Sequence, residues 1–316
     1  MDVVSFGVWM AIRRRCFSSS VRAPLQSLLA GFTPPEAGGA ALAGNIPESW
    51  MQGATTFGGL SAGLCLHGAQ RRMGLDGTTM PLRSALVDFV GAAGGNVSVE
   101  ASTIRRGKNS SVVRADVLGQ KGLATTATFT FANERTSALD ERIFVPSPPA
   151  LPPPDACPTL QTALGVTPPN FFQHFDMRIA AIGSDVVNTN SGTPGLGASN
   201  WMWVRHAAAC ERTGSVDGVD GSVALLALAD TPPPAIVILL TGSGALSEFP
   251  NVSSLTWHIN FLEHAPTPAY DGGWWLIEQS IEHLRGGFSS CDMTLWGSDT
   301  SRGPLLVSRQ MIAVYA

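Results

Sequence analysis

An acid, a hydroxyl and an amide in the second half of this chain stand where the first half has none of the three. Two distant stretches read as one unit written twice, from Pro81 to Phe131 and from Ser253 to Val314. Each has a strand-like segment ending in Phe, a loop, a long alternating segment, a Gly turn (Arg106-Gly107, then Gly286-Gly287) and two further strands. Setting Phe89 on Phe261 puts Ser254 opposite Leu82, and matching LATTATF on LVSRQMI puts Gln310 opposite Ala127. The helix-like stretch before the second unit ends on Asp230, whereas Trp50 to Met73 carries no acid. Together the three groups can hold one water and accept its proton: Asp230 as general base, Ser254 and Gln310 as directional hydrogen-bonding partners. Taken singly, each has a plain structural reading as a helix-end acid, a strand hydroxyl or a strand amide. Asp230 also sits against the negative end of its own helix, an unfavourable place for a carboxylate.

Other residues compete for a chemical role. Gly59-Leu60-Ser61-Ala62-Gly63 matches G-x-S-x-G, the nucleophile elbow of a strand–turn–helix in a mainly parallel sheet. Here polar, turn-like residues precede it and antiparallel meanders follow, so small residues in a buried helix are the better reading. His258, in Trp257-His258-Ile259, is a candidate to assist the acid, with a structural role as the plainer reading. His206 after Arg205 reads as structural. Arg83, Arg105, Arg106 and Lys108 are candidates for a local basic groove that meets a phosphorylated small molecule, or else solvated strand-end charges.

These residues need elements to position them. Pro24 to Leu29 reads as a short helix. WMQGATTFGGLSAGLCLHGAQRRM, from Trp50 to Met73, lacks Pro and ends on Arg71-Arg72, cations that suit a helix C-terminus. Leu60, Leu64, Cys65 and Ala69 fall near helical spacing. Strands follow at 80–90, 96–106, 110–119 and 123–132. A helix this apolar is explained if an antiparallel meander wraps it. Pro146 to Pro169 is dense in proline and reads as a semi-rigid linker. Then come a strand in FFQHFDMRIAAI, a low-complexity loop from Asn188 to Asn200 and a strand from Trp201 to Ala207. The helix GSVALLALAD is stopped by Pro232-Pro233-Pro234, and the second meander runs to the C-terminus.

The 316 residues suffice for one large or two average domains. Hydrophobic residues make up 44% and charged residues 14%, which permits a substantial core. A net charge of −4 gives no support for nucleic-acid binding. Cys16, Cys65, Cys157, Cys210 and Cys291 form no CxxC and no zinc spacing with His, and read as free thiols in a reducing compartment. No segment reads as a membrane span. Met1 to Ala23 holds four Arg, three consecutive Ser and one acid, a composition shared by organelle transit peptides and by plain unstructured extensions. The expected location is therefore cytoplasmic or mitochondrial.

WMQGATTFGGLSAG, PLRSALVDF and VSVEASTIRRGKNSSVVRADVL, then FFQHFDMR, WMWVR, LLALADTPPPAIV, SSLTWHINFLEHAP and LLVSRQMIAV, resemble in order the double-hotdog acyl-CoA thioesterases of the type II family. The resemblance spans about residues 25 to 316, with the Asn188 loop as an insertion. It implies an α+β tandem hotdog, two antiparallel sheets each wrapped around a central helix, paired edge to edge within the chain. The implied division is a leader at 1–24, hotdog domains at 25–145 and 170–316, and a linker at 146–169. It implies hydrolysis of acyl-CoA to free acid and CoA, with no metal and no cofactor beyond the CoA of the substrate. The family's water-binding trio falls on Asp230, Ser254 and Gln310, with Ser254 where Thr is more usual. A backbone N–H near Gly58-Gly59 is expected to polarise the thioester carbonyl. Arg83, Arg106 and His258 become candidate contacts to the substrate. The partner is a small-molecule acyl-CoA. Homo-oligomers are compatible with the sequence, though no feature specifies them. Two alternatives stand beside this reading. One is a non-catalytic acyl-CoA or fatty-acid binding protein on the same fold. The other is a hydratase, which needs an Asp–His pair over the tunnel that the sequence does not supply.

Overall fold

The computed structural model describes residues 24–35, 41–75, 77, 79–139, 141, 146–164, 168–183, 199–207, 221–242, 250–263 and 272–315. The arginine-rich leader, Cys16, Cys210 and nearly all of the Asn188 loop lie outside the described residues.

The first half contains α1 (Leu25–Ala30), β1 (Leu42–Ile46), a small hairpin of β2 (Met51–Gln52) and β3 (Thr55–Thr56), α2 (Gly58–Leu75), and the meander β4 (Leu82–Phe89), β5 (Gly95–Arg106), β6 (Ser110–Gly119) and β7 (Gly122–Ala132). The second contains α3 (Leu160–Leu164), β8 (Phe175–Ile182), β9 (Ser199–His206), α4 (Gly221–Ala229), α5 (Ala235–Gly242), and the meander β10 (Asn251–Phe261), β11 (Trp275–Arg285), β12 (Phe288–Trp296) and β13 (Leu306–Tyr315). The long helix expected from Trp50 begins only at Gly58, because Met51 to Thr56 pair as the hairpin.

The expected two sheets are one. Eleven antiparallel strands run in the order β1-β5-β6-β7-β4-β10-β13-β12-β11-β9-β8, joined where Thr256 to Asn260 of β10 pair with Ser84 to Asp88 of β4. The seam gives each half a partner for what would otherwise be an unpaired edge. Both halves carry bulges at matching places. Arg83 is the extra residue of β4 and Leu255 that of β10. Ile104 is the extra residue of β5 and Glu282 that of β11. These bulges fix the alignment of the halves better than the sequence did. Ser254 stays opposite Leu82. Gln310, which pairs with Trp257, takes the place of Phe129, which pairs with Ala85. The expected match to Ala127 was thus two residues out, although the residue opposite Gln310 is apolar either way.

The helices differ more than the strands. α2 runs for 18 residues and lies on the sheet with Leu60, Leu64, Cys65 and Ala69 all buried. Its counterpart is broken into α4 and α5 by Thr231 to Pro234, since three consecutive prolines remove backbone donors and clash with the preceding turn. α4 packs antiparallel to α2 at close range. A Cβ on Gly59 would lie 2.5 Å from the Ala227 carbonyl oxygen, and at the far end Gln70 Nε2 donates to Ser222 Oγ at 3.1 Å. The proline-rich segment is not a free spacer: the Trp203 and Trp296 indoles donate to the carbonyls of Pro152 and Pro146, and Cys157 is buried among tryptophans.

Candidate active site

The break between α4 and α5 puts Asp230, partly buried, on the wall of a cavity. The Thr231 hydroxyl and backbone N–H both bond the Leu228 carbonyl, closing the end of α4 just past Ala229. The antiparallel packing then brings Asp230 to the start of α2. A Cβ on Gly58 would sit 2.7 Å from Asp230 Oδ2, so only glycine leaves room for the carboxylate there. The Gly59 backbone N–H donates to that carboxylate. The unfavourable end of α4 is therefore offset by the favourable end of α2, where unpaired N–H groups and the helix dipole attract an anion. The Gly59 N–H thus faces Asp230, and Gly58 lines the cavity beside it.

Gln310 reaches across from β13, its Nε2 donating to Asp230 Oδ1 at 2.6 Å. Burial pushes the Asp230 carboxyl up to about 7, against the opposing pull of the Gln310 and Gly59 hydrogen bonds. A base with that value is half ionised near neutrality, where proton abstraction is best matched. Ser254 lines the same cavity, of about 380 Å³, as Asp230 and Gln310. The cavity is drawn from both halves: Gly58, Ser61 and Phe89 from the first, Pro232, Ser254 and Tyr315 from the second.

The bulge at Leu255 decides which side chains of β10 share this face. Without it Ser254 and His258, four apart, would point the same way. The extra residue shifts the alternation by one. Trp257, Ile259 and Phe261 continue the buried face, and His258 is exposed on the other, paired with Leu86 and Arg309. His258 therefore does not join the acid. Arg83 Nε donates to the Ala132 carbonyl, and Arg105, Arg106 and Lys108 are exposed around the β5–β6 turn. None of these cations lines the cavity. His206 is buried and bonds the Ala224 carbonyl. Ser61 lies within α2, in the wrong setting for a nucleophile elbow: its neighbouring sheet is antiparallel throughout.

Sequence reading missed Gln279. It is buried on β11, and its Nε2 donates at 3.3 Å to the carbonyl of Pro232, two residues past Asp230. With the β5 and β11 bulges aligned, Gln279 stands opposite Ala101. The contrast that singled out Ser254 was present here too, hidden because the loops before β5 and β11 differ in length.

The architecture is that of the hotdog fold. The chain matches a conserved hotdog protein of unknown function from Alicyclobacillus acidocaldarius with TM-score 0.72 and 19% identity, over 92% of this chain and 98% of that one. It matches an acyl-CoA thioesterase II, TesB2, from Mycobacterium marinum with TM-score 0.62 and 17% identity, over 92% and 98%. The tesB protein of Mycobacterium avium subspecies paratuberculosis matches with TM-score 0.65 and 14% identity, over 92% and 100%. No curated protein matches the chain in sequence. Family models settle the particular group. The acyl-CoA thioesterase N-terminal domain matches residues 46–132 and the C-terminal domain residues 154–314. The chain belongs to the acyl-CoA thioesterase family.

Proposed function

We propose that this protein hydrolyses acyl-CoA thioesters with a water activated by Asp230. The observation that carries this is a partly buried carboxylate, raised to about 7, held at one oxygen by Gln310 and facing a cavity shared with Ser254. In this scheme Ser254 and Gln310 orient the water while Asp230 takes its proton. The water oxygen attacks the thioester carbonyl carbon to give a tetrahedral oxyanion. Its collapse breaks the C–S bond, and the CoA sulfur takes the proton back from Asp230. No covalent enzyme intermediate forms and no further cofactor is needed.

The test is thiol release from a panel of acyl-CoAs, short to long and including an aromatic one, by the wild type and Asp230→Asn. Loss of a general base lowers kcat by about 10²–10⁴-fold. Asp230→Asn should fall in that range while still binding substrate. Full activity in the variant would show that the base lies elsewhere. Binding of acyl-CoA by the wild type without any release would replace hydrolysis by the binding-protein reading.

A further inference from the structure

We propose that the Ser61 hydroxyl supplies the hydrogen bond that stabilises the oxyanion formed at the substrate carbonyl. The inference rests on the hydrolytic reading above and extends it to the one part of the reaction that the acid, hydroxyl and amide leave unserved. Charge develops on the carbonyl oxygen in the transition state. A preorganised donor in a water-poor site is usually the largest single contribution to such a reaction. The obvious backbone donor at the start of α2, the Gly59 N–H, is turned to Asp230.

Ser61 is placed to take over. It is 5% exposed and lines the same cavity as Asp230, Ser254 and Gln310. Residues three apart on a helix share a face. Ser61 therefore lies on the face of Gly58, from which a side chain would meet Asp230 Oδ2 at 2.7 Å. A serine within a helix often spends its hydroxyl on the carbonyl one turn back. Here the Phe57 carbonyl accepts from the Ser61 N–H, and the hydroxyl has no hydrogen-bond partner among the described residues. A serine hydroxyl on the cavity wall that spends no bond on its own helix is available to donate to a ligand there. In the proposed step the Ser61 O–H donates to the carbonyl oxygen as water attacks. It keeps its proton throughout and forms no bond to carbon.

The experiment compares wild type, Ser61→Ala and Ser61→Thr in steady-state thiol release over pH 5–9, with rapid-quench mass spectrometry of the wild type during turnover. Removing one oxyanion donor costs about 10²–10³-fold in kcat. Ser61→Ala should fall in that range, with KM little changed and the acidic limb of the pH profile still near 7. Ser61→Thr, which restores a hydroxyl, should recover most of the loss. Folding is not at risk, because Ala is the better helix former and should hold or raise the melting temperature. Near-wild-type activity in Ser61→Ala would overturn the role while leaving the hydrolytic reading intact. A displaced acidic limb would overturn it too, by showing that Ser61 acts through Asp230. An acyl adduct on the wild-type protein would make Ser61 a nucleophile instead. Absence of release by the wild type from every thioester would remove this role together with the function on which it rests.

Discussion

The two halves of the sheet share two matched bulges, at Arg83 and Leu255 and at Ile104 and Glu282, and yet one helix runs straight while the other is broken. α2 lies unbroken over β5 and β7, where Ala101, Ala127 and Phe129 face it. Its counterpart stops at Asp230 and restarts at Ala235, over strands that carry Gln279, Ser308 and Gln310 at the matching positions. At these three positions the polar residue lies in the second half. Asn200, Gln279, Ser289 and Ser308 all have buried polar atoms without a hydrogen-bond partner among the described residues, a setting that costs stability. The duplication thus separates two tasks. The first half supplies apolar packing at these positions and a helix N-terminus, and the second carries the acid.

The strongest way to break this comparison is to remove the acid's charge. Asp230 titrates near 7 when folded and near 3.9 when unfolded. Between these values the folded chain holds a proton that the unfolded chain has released. Stability therefore falls as pH rises from about 4 to about 7, and the loss is complete above that. A displacement of this size corresponds to a few kcal/mol. Asp230→Asn should abolish most activity and yet be the more stable protein at pH 8 by an amount of that order, with the advantage gone at pH 4. Thermal melts at the two pH values check this. A variant less stable than wild type at pH 8 would mean that the Gln310 and Gly59 hydrogen bonds outweigh the burial of the charge.

A smaller effect comes from exchanging Gln279 and Ala101. Gln279→Ala leaves the Pro232 carbonyl without its donor, which costs about 1–3 kcal/mol for a buried group. It also loosens the segment that presents Asp230, so kcat should drop several-fold with the acidic limb displaced from about 7. Ala101→Gln should lower stability and leave kcat alone. Gly68 of α2 lies directly above, its missing Cβ 2.7 Å from Val99 Cγ1 and 3.9 Å from the Ala101 Cβ, so a longer side chain has nowhere to go. Overpacking of this kind costs about 1–3 kcal/mol. If Gln279→Ala affects melting alone, the amide is packing rather than a support for the base.

Much of this was legible in the sequence. The four strands of each meander follow from alternation and Gly turns, and the small residues of α2 mark the helix–helix approach at Gly59. The acid at the end of an apolar helix and before three prolines is visible without any structure. The partnership of Asp230 with the start of α2 is not, because it depends on the antiparallel packing of two helices that are far apart in the chain. The cavity's first-half wall around Phe89 and Ser61 was missed for the same reason. The bulges were illegible too, because Arg83 and Leu255 carry no sequence mark of an extra strand residue. That omission explains both the two-residue error for Gln310 and the candidacy of His258.

The smallest effect sharpens the comparison at its seam. β4 and β10 pair across the middle of the sheet, and their outer faces meet at Leu86 and His258, both exposed. Had Leu255 not been an extra residue, His258 would share the face of Ser254 and stand within reach of the water. Deleting the side chain tests the face directly. Surface substitutions away from special features usually stay within about ±0.5 kcal/mol, and His258→Ala should behave so, with kcat/KM within about twofold of wild type by the same reasoning. The pH profile should keep its single acidic limb, since the histidine does not face the acid. A large drop in kcat, or a second limb lost with the imidazole, would show that β10 runs without its bulge in solution. The matched bulges, and with them the assignment of Gln310 opposite Phe129 and Gln279 opposite Ala101, would then have to be abandoned.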